Sequence, residues 1–201
     1  HIHKPRIQQL VQEQERIVRN CLTEAKKRFA EGDDDPKGGG LHIFRAHRGL
    51  PKYGPVIKFL SEPGIRVKMQ KAENYYMQDQ LRNMHIVDEE LLFQIDEKNN
   101  SVDLTEKGLS MITRTGEDPE FFVLPDIGVK LAEVEKSTAP ADEKLHQKEA
   151  ILNDYAQKAD RIHTVQQLLK AYTLFDKDVE YVIIDGAIKI VDEQTGRIME
   201  G

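Results

Sequence analysis

Between Pro5 and Phe29, apolar residues fall at Ile7, Leu10, Val11, Ile17, Val18, Cys21, Leu22, Ala25 and Phe29. They line one face at helical period with Gln and Arg opposite, which predicts a long amphipathic helix opened near its first turn by Pro5. The pattern then stops. Gly32-Asp33-Asp34-Asp35-Pro36-Lys37-Gly38-Gly39-Gly40 has breakers and charge but no apolar period, so residues 32–40 read as a flexible linker. Leu41 to His47 is compatible with a short strand or with the start of a helix. Gly49 to Pro55 is a turn region, and Pro55 opens a short helix through Leu60. Glu62-Pro63-Gly64 breaks it. Ile65, Met69, Ala72, Tyr76 and Leu81 then recur at roughly helical spacing, predicting a second long helix from Ile65 to Met84. The Tyr75-Tyr76-Met77 cluster reads as core or interface packing.

The period changes at Leu91. Leu91-Leu92-Phe93-Gln94-Ile95-Asp96 and Ser101-Val102-Asp103-Leu104-Thr105 flank the polar Glu97-Lys98-Asn99-Asn100, a β-hairpin by pattern. Thr105 is placed to cap a short helix from Glu106 to Ile112. Gly116 to Pro119 is a break, and the apolar Phe121-Phe122-Val123-Leu124 before Pro125 is expected to pack onto the core. Ile127 to Glu135 reads as helical. Glu143 to Ala159 reads as a helix with Leu145, Leu152, Tyr155 and Ala156 inward. Thr164-Val165-Gln166-Gln167 matches a capping box, predicting a new helix start followed by the stripe Val165, Leu168, Leu169, Tyr172 and Phe175.

The chain's last patterned stretch runs from Val179 to Asp192. Two β-branched runs flank Asp185-Gly186, a pair that tolerates the positive φ angles of a tight hairpin turn. Both arms are apolar along most of their length, as in strands covered on both faces. A lone two-stranded ribbon is marginal in water, so this hairpin implies a partner surface. The pattern as a whole defines an α+β chain, a helical lobe with two antiparallel hairpins.

Composition narrows the function. The 201 residues are 32% charged and 39% hydrophobic, without Trp, which allows a modest core. A net charge of −6 argues against a nucleic-acid binder. No apolar run approaches the roughly 20 residues of a membrane span, and no signal peptide is visible. One cysteine, Cys21, rules out an internal disulfide and fits a reducing compartment; it reads as a small buried hydrophobe. The start at His1 and the end at Gly201, just after a conspicuous motif, suggest a piece cut from a longer protein.

Catalytic signatures are sparse. The chain contains no Gly-x-Ser-x-Gly, no His-Glu-x-x-His and no Gly-x-Gly-x-x-Gly. Asp33-Asp34-Asp35 lacks the ligand spacing and closing Glu of an EF-hand, and no Gly-Lys-Ser/Thr follows the glycines. No Cys or acidic cluster joins His42 and His47, so both read as ordinary polar residues rather than metal ligands. Asp192-Glu193 are adjacent on a strand, face opposite ways, and are poorly placed to share a proton.

Several motifs resemble one family. His163-Thr164-Val165-Gln166-Gln167-Leu168-Leu169-Lys170-Ala171-Tyr172, then Asp178-Val179-Glu180-Tyr181-Val182, Asp185-Gly186 and Ile190-Val191-Asp192-Glu193-Gln194-Thr195-Gly196-Arg197 closely resemble SecA, the ATP-driven motor of bacterial preprotein translocation. Val102-Asp103-Leu104-Thr105-Glu106-Lys107-Gly108 resembles a second block of that family, in the same order. The long first helix and Pro119-Glu120-Phe121-Phe122-Val123-Leu124-Pro125-Asp126-Ile127-Gly128 look like the enlarged form of the Bacteroidetes branch. The resemblance implies the preprotein cross-linking domain, inserted into the first nucleotide-binding domain of a larger multidomain motor. Residues 1–178 would be that domain, with the 32–40 linker inside it, and 179–201 a linker hairpin returning to the motor. It implies unfolded preprotein, the remaining SecA domains and the SecYEG channel as partners. The location it implies is cytoplasmic and peripheral on the inner face of the cell membrane.

The departures from the family are informative. No Gly-x-x-x-x-Gly-Lys-Thr and no Walker B Asp-Glu-Ala are present. The expectation is therefore no catalytic residue, no cofactor and no metal in this chain, with ATP and Mg belonging to the parent motor. A grip on clients of any sequence calls for backbone hydrogen bonds at an exposed strand edge. Together with the resemblance, this points to Tyr181, Val182, Ile183 and Ile184 as preprotein-binding residues. The alternatives are that this strand only ties two domains together, or that the chain is a stand-alone protein-interaction or chaperone-like module.

Overall fold

The computed structural model describes residues 4–113, 117–174, 181–184, 187–191 and 198–199. The chain falls into two compact units, His1–Ile112 with Gln166–Gly201, and Thr113–Val165. As its pattern predicts, it is an α+β chain, mainly helical with small antiparallel sheets.

In the first unit, α1 (Lys4–Ala30) buries Ile7, Leu10, Gln14, Val18, Cys21, Leu22 and Ala25 as a single stripe. It packs chiefly on α2 (Gly39–Gly49). Gly32 ends α1 in the left-handed region at φ +82°. The Gly32 amide donates to the Phe29 carbonyl at 3.1 Å and the Asp33 amide to the Arg28 carbonyl at 2.8 Å, the paired bonds of a Schellman motif.

Residues 32–40 differ from the flexible linker that their composition suggests. Asp35 accepts from the Lys37 amide at 2.8 Å through its side chain, and from Gly38 and Gly40 through its carbonyl. Tyr76 Oη donates to the Pro36 carbonyl at 2.9 Å, and Gly39 and Gly40 are buried in the first turn of α2. Polar composition misleads here because the backbone groups of the turn find partners inside it. The ambiguous segment Leu41 to His47 is helical, within α2.

The short helix expected after Pro55 is α3 (Gly54–Leu60). The long helix expected over 65–84 forms as α4 (Ile65–Leu81), burying Ile65, Met69, Ala72 and Tyr76, but its end is not an α-helix. Asp79, Gln80 and Leu81 have φ of 54°, 57° and 66°. Each left-handed residue that is not glycine costs about 1–2 kcal/mol. The chain then resumes as α5 (Met84–Asp88), which buries Met84 and Val87. Two arginines of α2 hold α5 in place. Arg45, 8% exposed, donates from Nε to the Val87 carbonyl at 2.9 Å and from Nη2 to the Ile86 carbonyl at 2.7 Å. Arg48 forms a forked pair with the Asp88 carboxylate at 2.6 and 3.1 Å.

The expected hairpin is present as β1 (Phe93–Asp96) and β2 (Ser101–Leu104), antiparallel with Phe93 opposite Leu104 and Asp96 opposite Ser101. Thr105 caps α6 (Glu106–Ile112) by accepting from the Gly108 amide at 3.1 Å, and its hydroxyl lies 2.7 Å from the Leu91 carbonyl. Among the described residues, no helix is long and apolar enough to cross a membrane.

The second unit is built from α7 (Ile127–Lys136) and most of α8 (Ala141–Thr173). Asp126 caps α7 by accepting from the Val129 amide at 3.1 Å. Of the Phe121–Leu124 run expected in the core, Phe122 is buried while Val123 and Leu124 stay largely exposed. The Phe121 ring carries Arg161 over its face, 3.8 Å from the centroid. Leu145 and Leu152, expected inward, are 57% and 48% exposed, and Ala156 is exposed too. A unit this small has too few partners to cover every apolar position of a long helix.

The helix start expected at Thr164 is not a start. α8 runs unbroken through it, because no Gly or Pro interrupts 141–173 and the neighbouring turns supply the bonds that a cap would replace. The stripe itself is in place, with Val165, Leu168 and Leu169 buried. Phe175 lies outside the described residues.

After α8 come β3 (Tyr181–Ile184), β4 (Ala187–Val191) and β5 (Ile198–Met199), an antiparallel sheet in the order β3-β4-β5.

Candidate functional site

All four expected client-binding residues, Tyr181, Val182, Ile183 and Ile184, lie together on β3. In register, Tyr181 faces Ile190, Val182 faces Lys189, Ile183 faces Ile188 and Ile184 faces Ala187. Two residues separate Ile184 from Ala187, so that closing pair exchanges both of its main-chain hydrogen bonds, and bonding alternates along the strand from there. The N–H and C=O groups of Ile184 and Val182 therefore point at β4. Those of Ile183 and Tyr181 point to the other side. Among the described residues, no strand occupies that side, whereas the far side of β4 is taken by β5, with Ile190 opposite Met199. Among the described residues β3 is thus an edge strand, with alternate amides and carbonyls directed outward. This split into outward and inward residues follows from the length of the turn and is readable in the sequence once the hairpin is assigned.

A second feature lies in the helical part. A groove of about 910 Å³ runs along α1 between α2 and α6. Ile17, Cys21, Leu92 and Met111 supply apolar lining, and the charged side chains beside them are mostly paired. Glu13 pairs with Arg16, Glu24 with Arg28 at 2.9 Å, and Glu90 with Lys107 at 3.7 Å. Arg45 also lines the groove, but its hydrogen bonds go to the carbonyls of α5.

Burial pushes the Cys21 thiol above its ordinary range, with Arg45 opposing the shift. His42 is held below its ordinary pKa by burial and by Arg28 and Arg45. A thiol whose pKa is raised is poorly suited to act as a nucleophile, since the thiolate is the reactive form. His47 lies outside the groove and pairs with Glu97 at 3.4 Å, yet burial is the larger influence and lowers its pKa. Among the described residues, no group of three or more His, Cys, Asp or Glu side chains comes together to hold a metal.

A mainly helical domain followed by a small antiparallel sheet, with β3 at its edge among the described residues, places the chain in the α+β class. Comparison makes this specific. The family described as the SecA preprotein cross-linking domain matches residues 70–201. The chain is 55% identical over 199 residues to the protein translocase subunit SecA of Amoebophilus asiaticus, covering 98% of this chain and 18% of that protein. It is equally similar to that of Cytophaga hutchinsonii, and 52% identical over 200 residues to that of Bacteroides fragilis, with the same coverage. The chain belongs to the SecA preprotein cross-linking domain family, and these high-identity relatives are of the Bacteroidetes kind that its motifs resemble. It spans 18% of the length of these relatives. No solved structure matches it.

Pattern reading missed two buried polar residues that shape the helical part, Gln14 and Arg45. Gln14 carried a signal, since it lies four residues from both Leu10 and Val18 and so in phase with the buried stripe.

Proposed function

We propose that this chain is the client-gripping part of a SecA motor, and that it holds unfolded preprotein by extending the sheet at the free edge of β3. The observation that carries the reading is the strand order β3-β4-β5, which leaves β3 with a partner strand on one side among the described residues. Such an edge offers hydrogen bonds to any backbone, whatever its side chains, as a motor with many clients requires. Tyr181, Val182, Ile183 and Ile184 form the contact strand, with the main-chain groups of Tyr181 and Ile183 meeting the client. Residues 1–178 act as the cross-linking domain and 179–201 as the return to the first nucleotide-binding domain. ATP and Mg are bound by other parts of the complete motor, which works on the inner face of the cell membrane with the SecYEG channel; this chain has no ATPase activity of its own.

Site-specific photo-cross-linking from Tyr181 in the complete protein during transport tests the grip. A cross-link to preprotein that depends on ongoing transport supports it. Cross-links to the motor's own domains alone would refute it.

A further inference from the structure

The junction between α4 and α5 carries an unusual load. Asp79, Gln80 and Leu81 are three successive residues in the left-handed region, none of them glycine. Their sequence does not ask for it. From Ile65 to Asp88 there is neither Gly nor Pro, and Met77-Gln78-Asp79-Gln80-Leu81-Arg82 contains ordinary helix-compatible residues. A run of this kind persists only where the surroundings over-determine it. The surroundings here are Arg45 and Arg48 of α2. Arg45 donates to the carbonyls of Ile86 and Val87, and Arg48 clasps Asp88. Together they pin α5 so that Met84 and Val87 are buried.

We propose that residues 65–88 form a two-state element, a strained hinge held folded by these arginines, whose released state is one continuous right-handed helix. In the folded-back state the chain pays backbone strain at three residues and gains the burial of Met84 and Val87, the Arg48–Asp88 pair and the two Arg45 bonds to the carbonyls of Ile86 and Val87. In the released state the strain vanishes, the break in the helical hydrogen-bond ladder heals, and Met84 and Val87 become available to another surface. Backbone strain at three residues thus opposes the burial of two apolar side chains and the contacts of two arginines, and opposed terms of this order are the condition for a bistable element rather than a fixed turn. The hinge lies apart from β3 in the sequence, and the proposal does not depend on the client grip.

NMR on the 201-residue chain, with two sets of variants, tests this. In the parent, residues 79–81 show the strong intraresidue amide–Hα contacts of positive φ. In the Arg48→Ala/Asp88→Ala variant, the ¹³Cα shifts of 79–83 are expected to move to helical values. Retention of the left-handed signature there, or loss of ordered signals from 79–88, overturns the proposal. Gln80→Gly provides the second arm and does not disturb the pin. At a left-handed position it raises Tm by about 2–4 °C, whereas within an ordinary helix it lowers Tm. A lowered Tm overturns the proposal as well. Combined with the pin variant, Gln80→Gly is expected to restore the left-handed turn.

Discussion

The side-chain amide of Gln14 donates to the Phe93 carbonyl at 2.6 Å, joining the middle of α1 to the first residue of β1. The same amide nitrogen donates to the Gly49 carbonyl at 3.2 Å, and Gln14 Oε1 accepts from the Leu92 amide at 2.9 Å. Gln14 is fully buried, so one side chain satisfies three main-chain groups at the meeting point of α1, the end of α2 and the hairpin. Gln14→Leu keeps the volume and removes all three bonds. Each buried group left unpaired costs about 1–3 kcal/mol, so a loss of at least about 3 kcal/mol is expected. For a chain of this size that lowers Tm by about 6–12 °C, readable by thermal denaturation. Gln14→Glu tests the polarity of the contact. A carboxylate can still accept from Leu92 but cannot donate to the two carbonyls, so this variant is expected to be as destabilised as Gln14→Leu at neutral pH.

Gly108 sets a second constraint on the same region. A Cβ there would lie 1.9 Å from the Leu92 carbonyl oxygen. That oxygen already accepts from the Thr105 amide at 3.0 Å, so the capping turn of α6 and the start of the hairpin are built around the absent side chain. Helix propensity alone favours Gly108→Ala by about 1 kcal/mol. The clash is with backbone and has no flexible atom to yield, and overpacking of this kind costs about 1–3 kcal/mol or more. The net expectation is a less stable protein, with a lower urea midpoint at an unchanged m-value. A midpoint equal to or above that of the parent would mean that α6 can slide away from Leu92 at no cost.

These two sites show where a linear reading stops. α1, the β1–β2 hairpin and the Thr105 cap depend on signals within a few residues of each other, and all three are where the pattern puts them. The strand holding Tyr181 to Ile184 was legible for the same reason, since Asp185-Gly186 between two β-branched runs specifies a local turn. The left-handed run at Asp79 to Leu81 depends on Arg45 and Arg48, more than thirty residues earlier. The continuity of α8 through Thr164 is the reverse case, in which a valid local capping signature goes unused because the helix never breaks. The exposure of Leu145 and Leu152 follows from how little of the second unit is available to cover them. Local order was readable from local sequence, while pinning and burial between distant segments were not.

The two histidines of α2 predict a specific response to pH. Burial lowers the pKa of His42, with Arg28 and Arg45 adding to the effect. Burial also lowers that of His47, although Glu97 at 3.4 Å pulls the other way. Both rings therefore stay neutral in the folded chain at a pH where the unfolded chain has begun to protonate them, near the ordinary histidine value of about 6.5. The unfolded state binds more protons in that range, so stability is fully present above about pH 6.5 and declines as pH falls towards 5. Urea midpoints at pH 7.5 and 5.5 check this, and His47→Gln should reduce the difference between them. A difference equal to the parent's in both His47→Gln and His42→Gln would assign the pH dependence to other groups. Asp96 acts in a lower window. Burial raises its pKa, but hydrogen bonds from Asn99 outweigh that and hold it below the carboxylate range, so its contribution is lost only as pH drops below about 4.

The alternation along β3 separates two proline variants that a sequence view treats as equivalent. The Val182 amide points at β4, opposite Lys189, so Val182→Pro removes a bond of the sheet itself. The Ile183 amide points to the side on which no described strand lies, so Ile183→Pro leaves the β3–β4 ladder intact and removes only a donor that a client would use. In the complete motor, Ile183→Pro is therefore expected to weaken cross-linking to preprotein while the amides of Ala187 and Lys189, which face β3, keep the hydrogen-exchange rates of the parent. Val182→Pro is expected to weaken cross-linking and also to speed exchange at Lys189, its partner across the ladder. If Ile183→Pro cross-links preprotein as well as the parent does, the outer edge of β3 is not where the client is held, and the strand serves to tie the domain to the motor.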